Sequence, residues 1–238
     1  KRIKKKKNKN YFFRSNLRIG KAKIENILLK NIKTDLVVMC DSDDFFVPDA
    51  LKHMEALFHN ISKKNKKNFA GVVAQNIDTE GNSQTFKFPR NEKKNELINY
   101  KSLKKKIIGD ATIITYSKNY KNKKFLEVDF VINESSLLDS LFNNKDFILI
   151  NKVVKIMNRK SNLNVSFGSK LQYCRGSAYC IAKLESFNNF KKKNYLSRIK
   201  TIINYWRYSF HGDLKLLEAK KLWRITNKNS LTLLIWPF

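Results

Sequence analysis

Three cysteines are the whole thiol inventory of this 238-residue chain. Cys40, Cys174 and Cys180 form no close metal-ligating pair and leave one thiol over in any disulfide scheme. Cys40 lies inside an apolar run, where a small core residue is expected, and a reducing cytosol suits the set. Histidine is as scarce. His53, His59 and His211 are scattered, the first two within or at the end of one predicted helix. Nothing reads as a secretory leader, and no apolar run approaches the roughly 20 residues that cross a bilayer. No segment repeats another. Acid is short as well: 20 Asp and Glu stand against 49 Lys and Arg, for a net charge of +29. A disulfide scaffold, a thiolate zinc site and a membrane-spanning bundle are thereby set aside. An apolar fraction of 42%, with 12% aromatic, also sets aside a disordered polycation.

The basic excess calls for an anionic partner: nucleic acid, an anionic membrane surface or phosphorylated substrates. Lys, Asn and Ile enrichment also follows from an AT-rich genome, so charge alone does not choose among them.

What is present is concentrated in one place. Leu36-Val37-Val38-Met39-Cys40 carries no polar break and predicts a buried central strand, covered on both faces as in α/β proteins. Asp41-Ser42-Asp43-Asp44 follows at once. In open α/β sheets ligands bind beyond the carboxyl ends of strands, which puts these acids at the rim of a site. Alternation along an extended chain sends Asp41 and Asp43 to one side and Asp44 to the other. Paired carboxylates on a short loop suit Mg²⁺ or Mn²⁺ shared with substrate phosphates. The plain alternative is a solvated acidic turn. A calcium loop of the EF-hand type fits poorly, because Phe45, Phe46 and Val47 stand where further oxygen ligands and a glycine are needed. An aspartyl phosphatase fits poorly too, since Phe45 takes the place of its small hydroxyl residue.

Around this stretch the elements alternate. Residues 1–10 are a basic, Asn-rich run, and Tyr11-Phe12-Phe13 reads as a short strand. Residues 22–31 predict a helix with Ile24, Leu28 and Asn31 on one face and Ile27 beside them. Pro48-Asp49 open a second helix, whose stripe is Met54, Leu57, Phe58 and Ile61. Residues 69–75 predict a buried strand, Thr79-Glu80-Gly81-Asn82 a turn, and Phe86-Lys87-Phe88 an edge strand. Residues 90–106 read as a basic surface loop with a helical turn, and 111–116 as a strand. Asn133-Glu134-Ser135-Ser136 predicts the cap of a helix reaching Phe142. Residues 147–150 and 153–157 predict two short strands, and the chain is helical from about 170. The pattern is α/β with a helical C-terminal extension.

In order, these motifs resemble the family 2 glycosyltransferases, of the GT-A fold, a Rossmann-like nucleotide-diphosphosugar transferase sheet. The likeness covers roughly residues 11–180. It rests on Gly20-Lys21 with Asn26, on the Asp41-Ser42-Asp43 (DXD) stretch followed by Pro48-Asp49-Ala50-Leu51, on Phe69-Ala70-Gly71-Val72 through Gly81, Lys87-Phe88-Pro89 and Gly109-Asp110, and on Glu134 in Asn-Glu-Ser-Ser-Leu-Leu. The resemblance implies a partial GT-A domain over 1–168 and a helical, basic and aromatic extension over 169–238. It implies an inverting, metal-dependent transfer in bacterial surface polysaccharide synthesis, from a nucleotide-diphosphosugar donor to a glycan or lipid-linked acceptor. Asp43 would bind Mn²⁺ or Mg²⁺, with Asp41 on the metal or the ribose and Asp44 as a weaker ligand. Lys21 and Asn26 would face the nucleotide. Glu134 would be the general base, with Asp110 beside the acceptor as second choice for that role. The family's opening strand-helix-strand, about 60 residues that hold the nucleotide base, has no counterpart here, so an incomplete N-terminal part and an inactive fragment are expectations as well.

Two other classes compete. A nucleic-acid-binding protein is prompted by the charge, but the lysines are dispersed and no RNA or DNA module is recognisable, so no specific nucleic acid is expected. A non-catalytic membrane-surface protein is prompted by Tyr205-Trp206-Arg207-Tyr208 and the apolar stretch Leu231 to Phe238. Peripheral contact with an anionic membrane also suits a transferase, placing the chain in the cytoplasm or on the inner face of the cell membrane. The aromatics could equally pack a helix onto the main domain.

Overall fold

The computed structural model describes residues 21–62, 68–85, 95–128, 135–158, 170–184 and 193–226. The expected strands at 11–13 and 86–88, the basic run and the apolar stretch from Leu231 lie outside these residues.

In chain order the elements are α1 (Lys21–Lys30), β1 (Leu36–Val38), β2 (Phe45–Phe46), α2 (Ala50–Ser62), β3 (Phe69–Asp78), β4 (Glu96–Asn99), α3 (Tyr100–Lys106), β5 (Thr112–Tyr116), α4 (Ser135–Phe142), β6 (Asp146–Met157), α5 (Lys170–Leu184), α6 (Tyr195–His211) and α7 (Leu216–Thr226). The sheet is mixed, in the order β1-β5-β3-β6-β2, with β4 also on β6. Only β3 and β6 run parallel among the described pairs.

β3 splits its side chains between two layers, its alternation interrupted by a register irregularity at Phe69–Gly71. Val72 and Ala74 pack with Ala50, Met54 and Phe58 of α2 on one face. Ala70 and Val73 pack with Tyr100, Leu103 and Phe142 of α3 and α4 on the other. The α2 stripe is therefore as the spacing predicted, with Met54 and Phe58 fully buried. Gly71 is required by close approach, because a Cβ there would run into the Ile114 carbonyl of β5.

Several expectations are corrected. The apolar run at 36–40 is not a central strand: β1 is three residues long, half-buried, and at the edge of the described sheet, paired only with β5. Cys40 is exposed rather than core. On α1, Ile24 and Leu28 are exposed, and the inward face is Ala22, Asn26 and Leu29. One polar anchor outweighed the apolar stripe there. Residues 96–106 hold the expected helical turn, as α3, but a strand precedes it where loop was expected, because Ile98, Tyr100 and Leu103 bury themselves while the intervening lysines stay outside. The two short strands at 147–157 are one strand, β6, whose pairing with β3 shifts register opposite Val73–Gln75. The last three helices have a core of their own, built on Ala178, Tyr205, Trp206, Ala219 and Trp223.

Candidate functional site

Strand direction decides what shares an edge. Val38 stands beside Ile114, and Ile114 beside Val72. Further along, Ala74 stands beside Thr112, and Asn76 beside Lys155. The carboxyl ends of β1, β3 and β6 therefore meet the amino end of β5 along one rim. The acidic residues 41–44, Asp110, Asn76 and Lys155 all belong to it, where ligands of α/β sheets bind.

The acidic turn is tight, closed by Asp44 N–H donating to the Asp41 carbonyl at 3.1 Å. Its three carboxylates have three different fates. Asp41 is half exposed and accepts an ion pair from Lys21 Nζ at 2.7 Å. Asp43 is exposed and makes no ion pair or hydrogen bond among the described residues. Asp44 turns inward, where its side chain and that of Lys155 are only 5% and 8% exposed and pair at 2.5 Å. The backbone N–H of Asn158 donates to its other oxygen at 3.3 Å. The Cys40 Sγ–H donates to the Asp44 carbonyl at 3.6 Å. Although Cys40 is exposed as a residue, desolvation of its sulfur pushes the thiol pKa up; Lys155 pulls it down, while Asp44, Asp41 and Asp43 add to the rise.

Asp44 is thus removed from the expected ligand set, because a buried carboxylate already neutralised by lysine has no charge left to offer a cation. Among the described residues no group of three His, Cys, Asp or Glu could hold a metal ion. Asp41 and Asp43 remain. Mg²⁺ bound with substrate phosphates usually takes only one or two protein carboxylates, so this donor pair fits a shared cation and not an all-protein cage.

Asn26 is also accounted for differently. It is buried, its Nδ2 donates to the Phe125 carbonyl at 2.9 Å and to Glu127 Oε1 at 2.8 Å, and its Oδ1 accepts from Phe125 N–H at 2.7 Å. With both ends of the amide engaged, Asn26 ties α1 to the 125–127 segment, a structural role in place of the expected nucleotide contact. Lys21, one turn earlier, is the residue of that pair that reaches the acidic turn.

Asp110 is exposed, but its backbone is held from behind by a neutral knot. Thr85 Oγ1 donates to the Asp110 carbonyl at 2.6 Å and Asn76 Nδ2 donates to it at 3.1 Å. Thr112 Oγ1 donates to Asn76 Oδ1 at 2.6 Å, and Asn76 N–H donates to Thr85 Oγ1 at 2.8 Å. All three side chains are buried. Thr85 closes a turn whose other corner is Asp78, which accepts the N–H groups of Asn82 and Glu80. The Asn82 N–H above all, with its amide, Glu80 and Gln84 adding, holds the Asp78 carboxyl below its usual range. Glu134 lies outside the described residues; the helix it was expected to open starts at Ser135.

The structure brings Asp41, Asp43, Lys21 and Asp110 to one rim, ties up Asp44 there with Lys155, and engages Asn26 elsewhere with Phe125 and Glu127. Lys155, Asn76, Thr85 and Thr112 were missed by sequence reasoning. A lysine directly after Val153-Val154 and before Ile156-Met157, in an otherwise apolar stretch, was the available signal for the first. No family model matches the chain, and no curated protein matches it either.

Proposed function

We propose that this chain belongs to an inverting glycosyltransferase of the GT-A type, which moves a sugar from a nucleotide-diphosphosugar to an acceptor hydroxyl in bacterial surface polysaccharide synthesis. The observation that carries the reading is the rim itself: an exposed acidic pair, a lysine aimed at it, and Asp110 on the neighbouring strand's start. Asp41 and Asp43 are the residues that would hold Mg²⁺ or Mn²⁺. When bound, that ion would supply Lewis-acid charge against the donor diphosphate. Lys21, ion-paired with Asp41, would offer the diphosphate a second cation. In the reaction the acceptor oxygen forms a bond to the anomeric carbon as the bond from that carbon to the diphosphate breaks. A carboxylate takes the hydroxyl proton, Glu134 by resemblance or Asp110 by its place on the rim.

The test is release of nucleoside diphosphate from a panel of nucleotide-diphosphosugars, with an acceptor extract and Mn²⁺. Asp43→Asn should lower turnover by about 10²-fold or more, as loss of one preorganised charge typically does, with unfolding unchanged. Undiminished turnover in excess chelator, or no release from any donor, overturns the reading.

A further inference from the structure

The sequence left Tyr205-Trp206-Arg207-Tyr208 as either a membrane-surface segment or a set of packing aromatics, and Tyr205 and Trp206 are buried in the core of the last three helices. Their inward turn leaves a different stripe outside. On α6, Leu196, Ile203 and Phe210 are 76%, 45% and 51% exposed. They stand seven residues apart, which is about 20° short of two full turns, so the three line up along one side of the helix. Lys200 and Arg207 follow the first two by four residues and fall on the same stripe. The helix contains no Asp or Glu. Tyr195, at its first turn, is 75% exposed beside Leu196.

We propose that this stripe of α6 docks on an anionic lipid surface, with the helix lying in the plane of the interface. An apolar stripe rimmed by cations and free of acid is the pattern of interfacial helices, whose apolar side sinks into the headgroup boundary while Lys and Arg reach out to phosphate. Charge complementarity picks this occupant over a second copy of the chain. In a two-fold contact the stripe would meet itself, setting Lys200 and Arg207 against their own likenesses with no acid on the helix to compensate. The helix does not cross the bilayer, since no described helix is long and apolar enough to do so. The helix's own packing is already satisfied by Thr201, Tyr205, Trp206 and Ser209 on its opposite face. The proposal stands independently of the glycosyl-transfer reading.

The experiment is co-sedimentation of the full chain with phosphatidylcholine vesicles, with and without phosphatidylglycerol, at two salt concentrations. Binding is expected only with phosphatidylglycerol. Ile203→Ser with Phe210→Ser should weaken partitioning by at least about tenfold, the scale of withdrawing apolar side chains from a lipid interface. Leu97→Ser, on exposed β4, should leave it unchanged. Both variants should keep the native circular dichroism, because the replaced side chains are exposed. Three results overturn the proposal: equal binding to both vesicles, full binding by the double variant, or a dimer in sedimentation equilibrium that the double variant dissolves.

Discussion

On the rim Asp44 and Lys155 face each other as a buried ion pair, whereas beside them Asn76, Thr85 and Thr112 hold the Asp110 carbonyl through neutral hydrogen bonds. Both arrangements fix a loop that carries an exposed acid. They differ in what they leave behind when damaged. The charged anchor consumes one of the three acids of its own loop, which leaves Asp41 and Asp43 at the surface. The neutral anchor works through the backbone carbonyl of Asp110.

Breaking the charged anchor should have the largest effect. Lys155→Met leaves Asp44 buried and uncompensated, which costs about 3–5 kcal/mol. Removing both partners, as Lys155→Met with Asp44→Leu, should recover most of that loss, since apolar replacement of a buried pair is often neutral or better. Denaturant unfolding of the single and double variants measures both. Equal destabilisation of the two would mean that the pair is not what holds the loop.

The neutral anchor should break more gently. Asn76→Ala orphans the Thr112 hydroxyl and removes one of the two side-chain donors to the Asp110 carbonyl, at about 1–3 kcal/mol. Adding Thr112→Val to it should recover part of the cost, because the stranded hydroxyl is then gone. The same unfolding series checks this, and strict additivity of the two losses would contradict the shared network.

The smallest effect is a pH dependence confined to the neutral anchor. The Asp78 pKa is depressed in the folded state, so its contribution to the turn is complete above the ordinary carboxylate range and is lost as pH falls through the folded value. The protection factors of the Asn82 and Glu80 amides, corrected for the intrinsic exchange rate at each pH, should fall on acidification below about pH 4, while those of the β6 amides beside Lys155 do not follow. Asp78→Asn should abolish the pH dependence of those two protection factors.

Much of the scaffold was legible in the sequence, and the reasons are local. The stripe of α2 at helical spacing, the buried run of β3 and the turn at 79–82 each follow from periodicity or turn chemistry within about a dozen residues. What escaped depended on contacts far along the chain. Asn26 reads as a polar position on a helix until Phe125 and Glu127, 99 and 101 residues away, close on its amide. Lys155 reads as one more lysine among many until Asp44, 111 residues earlier, meets it. The same meeting explains why alternation alone put Asp44 on the other side from Asp41 and Asp43, yet could not say that it was already neutralised. The run at 36–40 was misjudged because apolar character does not report how many neighbours a strand has; β1 has one among the described strands.

The central claim is that the exposed pair Asp41 and Asp43, and not Asp44, faces a divalent cation shared with a diphosphate. The direct measurement is electron paramagnetic resonance of free Mn²⁺ titrated into the full chain in the presence of pyrophosphate. Saturable Mn²⁺ uptake that is lost in Asp43→Asn and kept in Asp44→Leu with Lys155→Met is the predicted result. Uptake that survives Asp43→Asn, vanishes with the Asp44 and Lys155 pair, or never rises above that of pyrophosphate alone would contradict it.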